Sequence, residues 1–195
     1  MATNAKPSYW ASPNLSPKRN YKWYLSFGNL ALPTWIVKSV TKPSFSIGEA
    51  QHTYINHTFY YPGKISWNTV DVTVVDPGEP NDASKKLVDA IRASGYAYPN
   101  QPGLGQTIAR NAGVTFSKAA ATNQVGTVIL RQLGAQGFDN VVDRWTLYNA
   151  WIKDVQFGQL SYDNEDLTDV TLTLRYDWAV HNTKDDNAIP GLIQK

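Results

Sequence analysis

Residues 167–180 read Leu-Thr-Asp-Val-Thr-Leu-Thr-Leu-Arg-Tyr-Asp-Trp-Ala-Val. In an extended chain Val170, Leu172, Leu174, Tyr176, Trp178 and Val180 share one side, and Asp169, Thr171, Thr173, Arg175 and Asp177 share the other. Such alternation belongs to a strand that buries one face and wets the other. The pattern predicts a single strand over Leu167–Val180, more than about 40 Å long at the usual rise per residue. The polar run Asp163-Asn164-Glu165-Asp166 predicts a turn just before it. Trp145–Phe157, continued by Leu160–Tyr162, predicts a further strand region with an irregularity near Asn149-Ala150.

Working towards the N-terminus, the period-two signal recurs. Val70, Val72 and Val74 oppose Thr69, Asp71 and Thr73 in a strand over Trp67–Val75, which Asp76-Pro77-Gly78 ends. Tyr21, Trp23, Leu25 and Phe27 alternate with Lys22, Tyr24 and Ser26. Trp35–Val40 predicts a second, weaker strand, and Val125–Leu133 another, followed by a loop at 134–137. Between them the period changes. Asn81 or Asp82 can cap a helix running to about Ser94, with Leu87, Ala90, Ile91 and Ser94 on one face and Gly95 beyond its end. A Pro/Gly loop follows at 96–106, and the spacing of Ile108, Ala112 and Phe116 predicts a second helix over 106–122.

Residues 48–63 do not fit either period. Glu49, Gln51, Thr53, Ile55, His57, Phe59 and Tyr61 alternate with Ala50, His52, Tyr54, Asn56, Thr58 and Tyr60, and neither set is apolar. A strand of this kind cannot sit on an ordinary core. It predicts a projecting ribbon touched on both faces by partners.

Composition agrees with a β-dominated chain. Seven Trp and eleven Tyr stand among 195 residues, and aromatic and β-branched residues suit pleated surfaces. A chain of this length forms one domain that needs no covalent staple. There is no cysteine, which excludes disulfides, thiolate metal sites and cysteine nucleophiles and fits a reducing compartment. Neither a membrane-length apolar run nor a secretory leader is visible. The net charge of +2 is too small for holding nucleic acid by bulk electrostatics. The organisation reads as an irregular arm over 1–20, a β domain over 21–181 and a polar tail over 182–195. Trp10 in the arm is a candidate anchor on a neighbouring subunit.

Catalytic signals are lacking. His52 and His57, five apart on an extended segment, should point to opposite faces, and His181 stands alone. There is no nucleophile elbow, and Gly103-Leu104-Gly105-Gln106 lacks the third glycine of a dinucleotide fingerprint. The acidic cluster at 163–166 with Asp169 reads as a turn rather than a Ca²⁺ loop. The expectation is a non-enzyme without metal or cofactor.

Three stretches carry a resemblance: Leu32-Pro33-Thr34-Trp35-Ile36-Val37; the Trp67-Asn68-Thr69-Val70-Asp71-Val72-Thr73-Val74 strand before the helix; and Trp145 through Trp178, with Gly158-Gln159-Leu160, a polar turn and Val170-Thr171-Leu172-Thr173-Leu174. In content and order they resemble the tail tube protein of contractile-tailed bacteriophages, whose relatives occur in type VI secretion and other contractile injection systems. The resemblance spans about residues 21–180. It implies a mainly β chain: a small β-sandwich or partly rolled barrel with one flanking helix and a projecting ribbon, assembling into hexameric rings. The rings would stack into a tube inside a sheath, in a virion assembled in the host cytoplasm. Its partners would be further copies of itself, the tail sheath protein, the tape measure protein and baseplate tube proteins, with DNA passing through the lumen unread. A baseplate or tube-initiator component, and a monomeric carbohydrate-binding β-sandwich, are the alternatives. On this reading Tyr54, Ile55, Phe59, Tyr60 and Tyr61, with Trp10, contact other subunits. Thr69, Asp71, Thr73, Asp169, Thr171, Thr173, Arg175 and Asp177 are candidates for the lumen face.

Overall fold

A computed structural model describes residues 17–96, 116–134, 140–163 and 165–183. The strands are β1 (Trp23–Phe27), β2 (Val37–Val40), β3 (Phe45–Tyr54), β4 (His57–Trp67), β5 (Val70–Val75), β6 (Val128–Leu133), β7 (Val141–Tyr148), β8 (Trp151–Gln156), β9 (Asp169–Arg175) and β10 (Trp178–Thr183). Two helices accompany them, α1 (Ala83–Ala93) and α2 (Lys118–Val125). One four-stranded sheet has the order β1-β6-β7-β10, and a second has the order β2-β5-β9-β8. Every neighbouring pair is antiparallel. Among the described residues β3 and β4 pair only with each other.

The two sheets face each other across one apolar core. Val70, Val72 and Val74 of β5 and Val170, Leu172 and Leu174 of β9 meet Leu25, Val128, Leu130 and Leu147 of the opposite sheet. The register sets Val72 against Leu172 and Val74 against Val170, so one face of the β5–β9 pair is wholly apolar. Ala83, Leu87 and Ala90 of α1 join the same core. This is the mainly β sandwich with a flanking helix that the resemblance implies. Neither sheet closes on itself, so the barrel alternative is not the one adopted.

α1 forms where its signals place it. The Asp82 carboxylate accepts from the Lys85 amide at 2.7 Å, and Ser94 closes the helix. The second helix is shifted. Its cap is Ser117, whose hydroxyl accepts from the Ala120 amide at 3.1 Å, and α2 ends at buried Val125. Most of the expected 106–122 span, like the loop at 97–106, lies outside the described residues. Val125 therefore belongs to a helix rather than opening a strand. Gly126, at φ +70°, makes the break, and a Cβ there would lie 2.7 Å from the Asn29 nitrogen. In the same way Thr34–Ile36 form a short 3-10 turn, so the second strand begins only at Val37.

The largest correction concerns 167–180. This is not one long strand. β9 ends at Arg175 in one sheet and β10 starts at Trp178 in the other. The corner is built by Asp177, whose amide donates to the Tyr148 carbonyl at 3.1 Å and whose carboxylate accepts from Asn149 and Lys118. Turning it moves the inward phase by one residue. Tyr176 is buried, but Trp178 is 43% exposed and stacks on Tyr148 at 5.2 Å, while Ala179 packs inward. Trp145–Phe157 is divided likewise: β7 and β8 lie in different sheets, and Asn149, at φ +55°, turns the chain between them.

Candidate functional site

The β3–β4 hairpin continues the β2–β5 pair beyond the sandwich. Its root is fixed by the Asn68 amide donating to the Ser44 carbonyl at 2.8 Å and by Thr41, which exchanges hydrogen bonds with Asp71. Phe45 meets Trp67 edge to face at 5.2 Å, and Trp67 meets Tyr176 at 5.9 Å, so aromatic rings carry the root into the core. Beyond that point every residue of β3, and nearly every residue of β4, is exposed.

Residues directly opposite in an antiparallel pair share a face. Phe45/Trp67, Ile47/Ile65, Glu49/Pro62, Gln51/Tyr60 and Thr53/Thr58 form one face. Ser46/Ser66, Ala50/Tyr61, His52/Phe59 and Tyr54/His57 form the other. The Thr53 and Thr58 hydroxyls are 3.2 Å apart, and the His57 and Phe59 rings 4.7 Å apart, as this assignment requires. The register slips between Ile47 and Glu49, where Gly63 and Lys64 both stand opposite Gly48. A Cβ on Gly63 would lie 2.9 Å from the Gly48 carbonyl oxygen, so the bulge admits no side chain there. The hairpin therefore presents aromatic side chains on both faces. Tyr54, Ile55, Phe59, Tyr60 and Tyr61 all lie on it, exposed. Sequence reasoning missed Phe45, Ile47 and Ile65, exposed apolar residues at the root, because the bulge hides their pairing from simple alternation. Trp10 lies outside the described residues.

At the tip Ile55 has φ +56° and is 82% exposed. A β-branched residue in the left-handed region is strained. The turn also overturns the expected placing of the histidines. His52 and His57 lie on opposite strands and share one face.

The outer face of the β2-β5-β9-β8 sheet gathers most of the polar residues expected on one side. Asp71 is opposite Thr173, Thr73 opposite Thr171, and Asp169 opposite Val75, with Arg175 at the end of β9. Thr69 immediately precedes β5. Asp177 instead occupies the corner, ion-paired with Lys118 at 2.6 Å. Hydrogen bonds from Lys118 and Asn149 hold its carboxyl below the usual carboxylate range. On the sheet face the carboxylates have local partners. The Thr173 hydroxyl donates to Asp71 at 2.7 Å, and Lys38 pairs with Asp169 at 2.5 Å, a hydrogen bond that raises the ammonium's pKa. The surface is rich in hydroxyls, and its carboxylates Asp71 and Asp169 each have a local partner. β2 and β8 are its two edges.

His181 is not alone. It hydrogen-bonds Asp143, whose side chain is only 5% exposed and also meets Lys18 at 3.0 Å and Lys42 at 3.6 Å. Burial pushes the Asp143 carboxyl up, but the bonds from Lys18 and His181 outweigh it and hold it below the usual range. One carboxylate thus ties the entry to β1, the strap before β3 and the last strand. Among the described residues no three His, Asp or Glu side chains are grouped to hold a metal ion.

No family and no curated protein matches the chain in sequence. Solved structures do match in fold. A chain of the anti-feeding prophage tube-terminating cap aligns with a TM-score of 0.57 at 13% identity, covering 94% of this chain and 99% of that one. A chain of the six-fold symmetrised anti-feeding prophage baseplate aligns at 0.55 and 14% identity, covering 87% and 98%. A chain of the PVC extracellular contractile injection system, from its sheath/tube terminator in the extended state, aligns at 0.55 and 14% identity, covering 86% and 98%. The architecture is therefore one shared with components of contractile injection systems. The likeness takes in almost the whole of each of these chains.

Proposed function

We propose that this chain is a structural tube subunit: copies close into hexameric rings, and the rings stack into the inner tube of a contractile tail. The observation that carries the reading is the hairpin, aromatic on both faces and covered on neither. Two-stranded ribbons are marginal in water on their own, so a surface of this kind is completed by neighbours. The sheet supports the same reading. Alternating antiparallel order gives its edge strands β2 and β8 opposite directions, so β8 of one copy beside β2 of the next continues the antiparallel order without a break. Six such sheets make 24 strands, which at about 4.8 Å spacing and about 40° tilt close at roughly 48 Å between backbones. The bore is then wider than a DNA duplex. The polar face of Asp71, Thr73, Thr171 and Thr173 lines it, and its short hydroxyls and carboxylates offer a polyanion no grip.

In this assembly the sheath protein surrounds the tube, the tape measure protein occupies it during assembly, and baseplate tube proteins begin it. The protein's place is the virion, after assembly in the host cytoplasm. A second reading, an injection-system tube, tube-terminating or baseplate component, is favoured by the machines from which the three similar chains come. The test replaces residues 50–60 with a Gly-Ser linker. The β signature and melting of the subunit stay, because the strands of the sandwich are untouched, while rings and tubes disappear in negative-stain microscopy and sedimentation. Normal assembly of the shortened protein overturns the reading. A saturable sugar titration without rings would point to a carbohydrate-binding sandwich instead.

A further inference from the structure

The β2-β5-β9-β8 sheet has two unlike ends. At the Trp151/Arg175 end, under the hairpin root, lies an open groove of about 650 Å³ walled by Ile65, Trp67, Phe116, Ala121 and Trp151 and floored by Arg175. Its volume falls within the range of pockets that enclose organic ligands. At the Gln156/Thr171 end, roughly 15 Å away along the strands, the β8–β9 connection exposes Leu160 (84%), Tyr162 and Leu167 (72%). These apolar side chains stand among Asp163, Glu165 and Asp166, and no Lys, Arg or His lies between Phe157 and Thr168.

From these two ends we infer that the β8–β9 connection of one copy docks in the groove under the hairpin of the next copy, a head-to-tail contact along the strand direction. This rests on the stacked-tube reading and names the surface on which each ring receives the next. Three features fix the occupant as a second copy. The donor and acceptor surfaces sit at opposite ends of one sheet, so a shift along the strands brings them together and repeats without closing, which is the geometry of a filament. Their apolar parts match: the groove is walled by aromatic and aliphatic side chains, and the connection offers a leucine and a tyrosine. Their charges also match. Within the groove Asp177 is already neutralised by Lys118, whereas Arg175 forms no ion pair among the described residues, and Asp163 and Glu165 form none on the connection. Desolvated behind apolar walls, an arginine meeting a carboxylate gives orientation as well as attraction.

The absence of native cysteine makes the contact directly testable. Full-length Leu160→Cys and Ala121→Cys proteins are mixed, allowed to assemble and oxidised. A mixed disulfide dimer, at least about tenfold above either variant alone, is expected, because docking raises the effective concentration of the two thiols. Ser66→Cys, at the hairpin root, serves as a second groove probe if Ala121→Cys folds poorly. Arg175→Glu should abolish the cross-link and leave single rings, and adding Asp163→Lys with Glu165→Lys should restore stacking. Tubes that form without the mixed cross-link overturn this contact while the tube reading stands. A Leu160→Cys homodimer alone would mean a two-fold contact and also overturns it. So would a thiol at position 121 shielded from alkylation in the isolated subunit, which would show the chain's own 97–115 segment filling the groove. Absence of rings and tubes from the unmodified protein would instead overturn the tube reading.

Discussion

β4 and β5 follow one another with only Asn68 and Thr69 between them, yet they live in different surroundings. β4 carries Phe59, Tyr60, Tyr61, Ile65 and Trp67 and leaves nearly all of it exposed. β5 carries three valines on its inner face and buries them completely. The strand richer in apolar surface is the one without a core. What differs is the layer opposite: β5 faces the second sheet and α1, whereas β4, among the described residues, pairs only with β3 and packs on the core through Trp67 alone. Apolar content marks surface that needs covering, and topology decides whether the same chain or another supplies the cover.

The sharpest way to break this contrast is to truncate one large side chain in each region. Leu172→Ala, in the wholly buried centre of β9, should lower unfolding free energy by about 2–5 kcal/mol in denaturant melts. Phe59→Ala, on the hairpin, should cost under about 1 kcal/mol in the isolated subunit. Equal losses would mean that the hairpin is part of the subunit's own core.

Next in size is the buried carboxylate that ties the strap before β3 to the sandwich. Asp143→Ala should cost about 1–3 kcal/mol, because the half-buried partners Lys18 and His181 lose their acceptor. The sign of its pH effect follows from its lowered pKa. The stabilisation is present above the unfolded-state value of about 3.9 and is lost as pH falls through the lower folded value. Acid melts of the variant should therefore be less steep below about pH 4 than those of the parent. An unchanged acid limb would show that Asp143 does not set it.

A smaller effect tests the polar side of the same sheet. Thr173→Ala loses one hydroxyl bond to Asp71 on an outer face and should cost under about 1 kcal/mol by chemical denaturation. A loss as large as that of Leu172→Ala would reverse the facing of β9. Smallest of all is Ile55→Gly. Removing a β-branched side chain from a left-handed position should leave the melting temperature unchanged or raise stability by up to about 1 kcal/mol. Assembly should weaken in sedimentation, since an exposed anchor is gone. A drop in melting temperature would show that Ile55 already packs within the subunit.

The parts of this architecture legible in sequence were those governed by local rules. Alternation in β5 and β9, the Asp82 cap of α1 and the two-sided character of the ribbon needed only neighbours along the chain. One corner showed only as an irregularity at Asn149-Ala150, and the one at Tyr176-Asp177 did not show at all. At Asn149-Ala150 and Tyr176-Asp177 the apolar pattern runs on while the chain changes sheet, because both sheets turn inward on one core and the phase moves by a single residue. The 3-10 turn before β2 and the helical placing of Val125 were hidden for a related reason, since each is decided by what packs against it. The groove was beyond reach, because it exists only once distant segments meet, and the exposed root residues Phe45, Ile47 and Ile65 were hidden by the bulge in their pairing.

The bulge at Gly63 also settles a matter of counting. From the root to Ile47 and Ile65, paired residue numbers add to 112; from Glu49 and Pro62 outward, they add to 111. An even sum leaves an odd number of residues to turn the tip, and had it persisted, Ile55 would face His57 across Asn56 alone. The odd sum leaves Ile55 and Asn56 together, enough for a tight reversal. The ribbon holds one residue too many for a plain ladder, and it sets that residue aside a third of the way along, at the one position where a hydrogen is all that fits. Everything distal to Gly63 is thereby read in a different frame from everything proximal to it, and a change of length on either side would have to be matched on the other to keep the tip where it is.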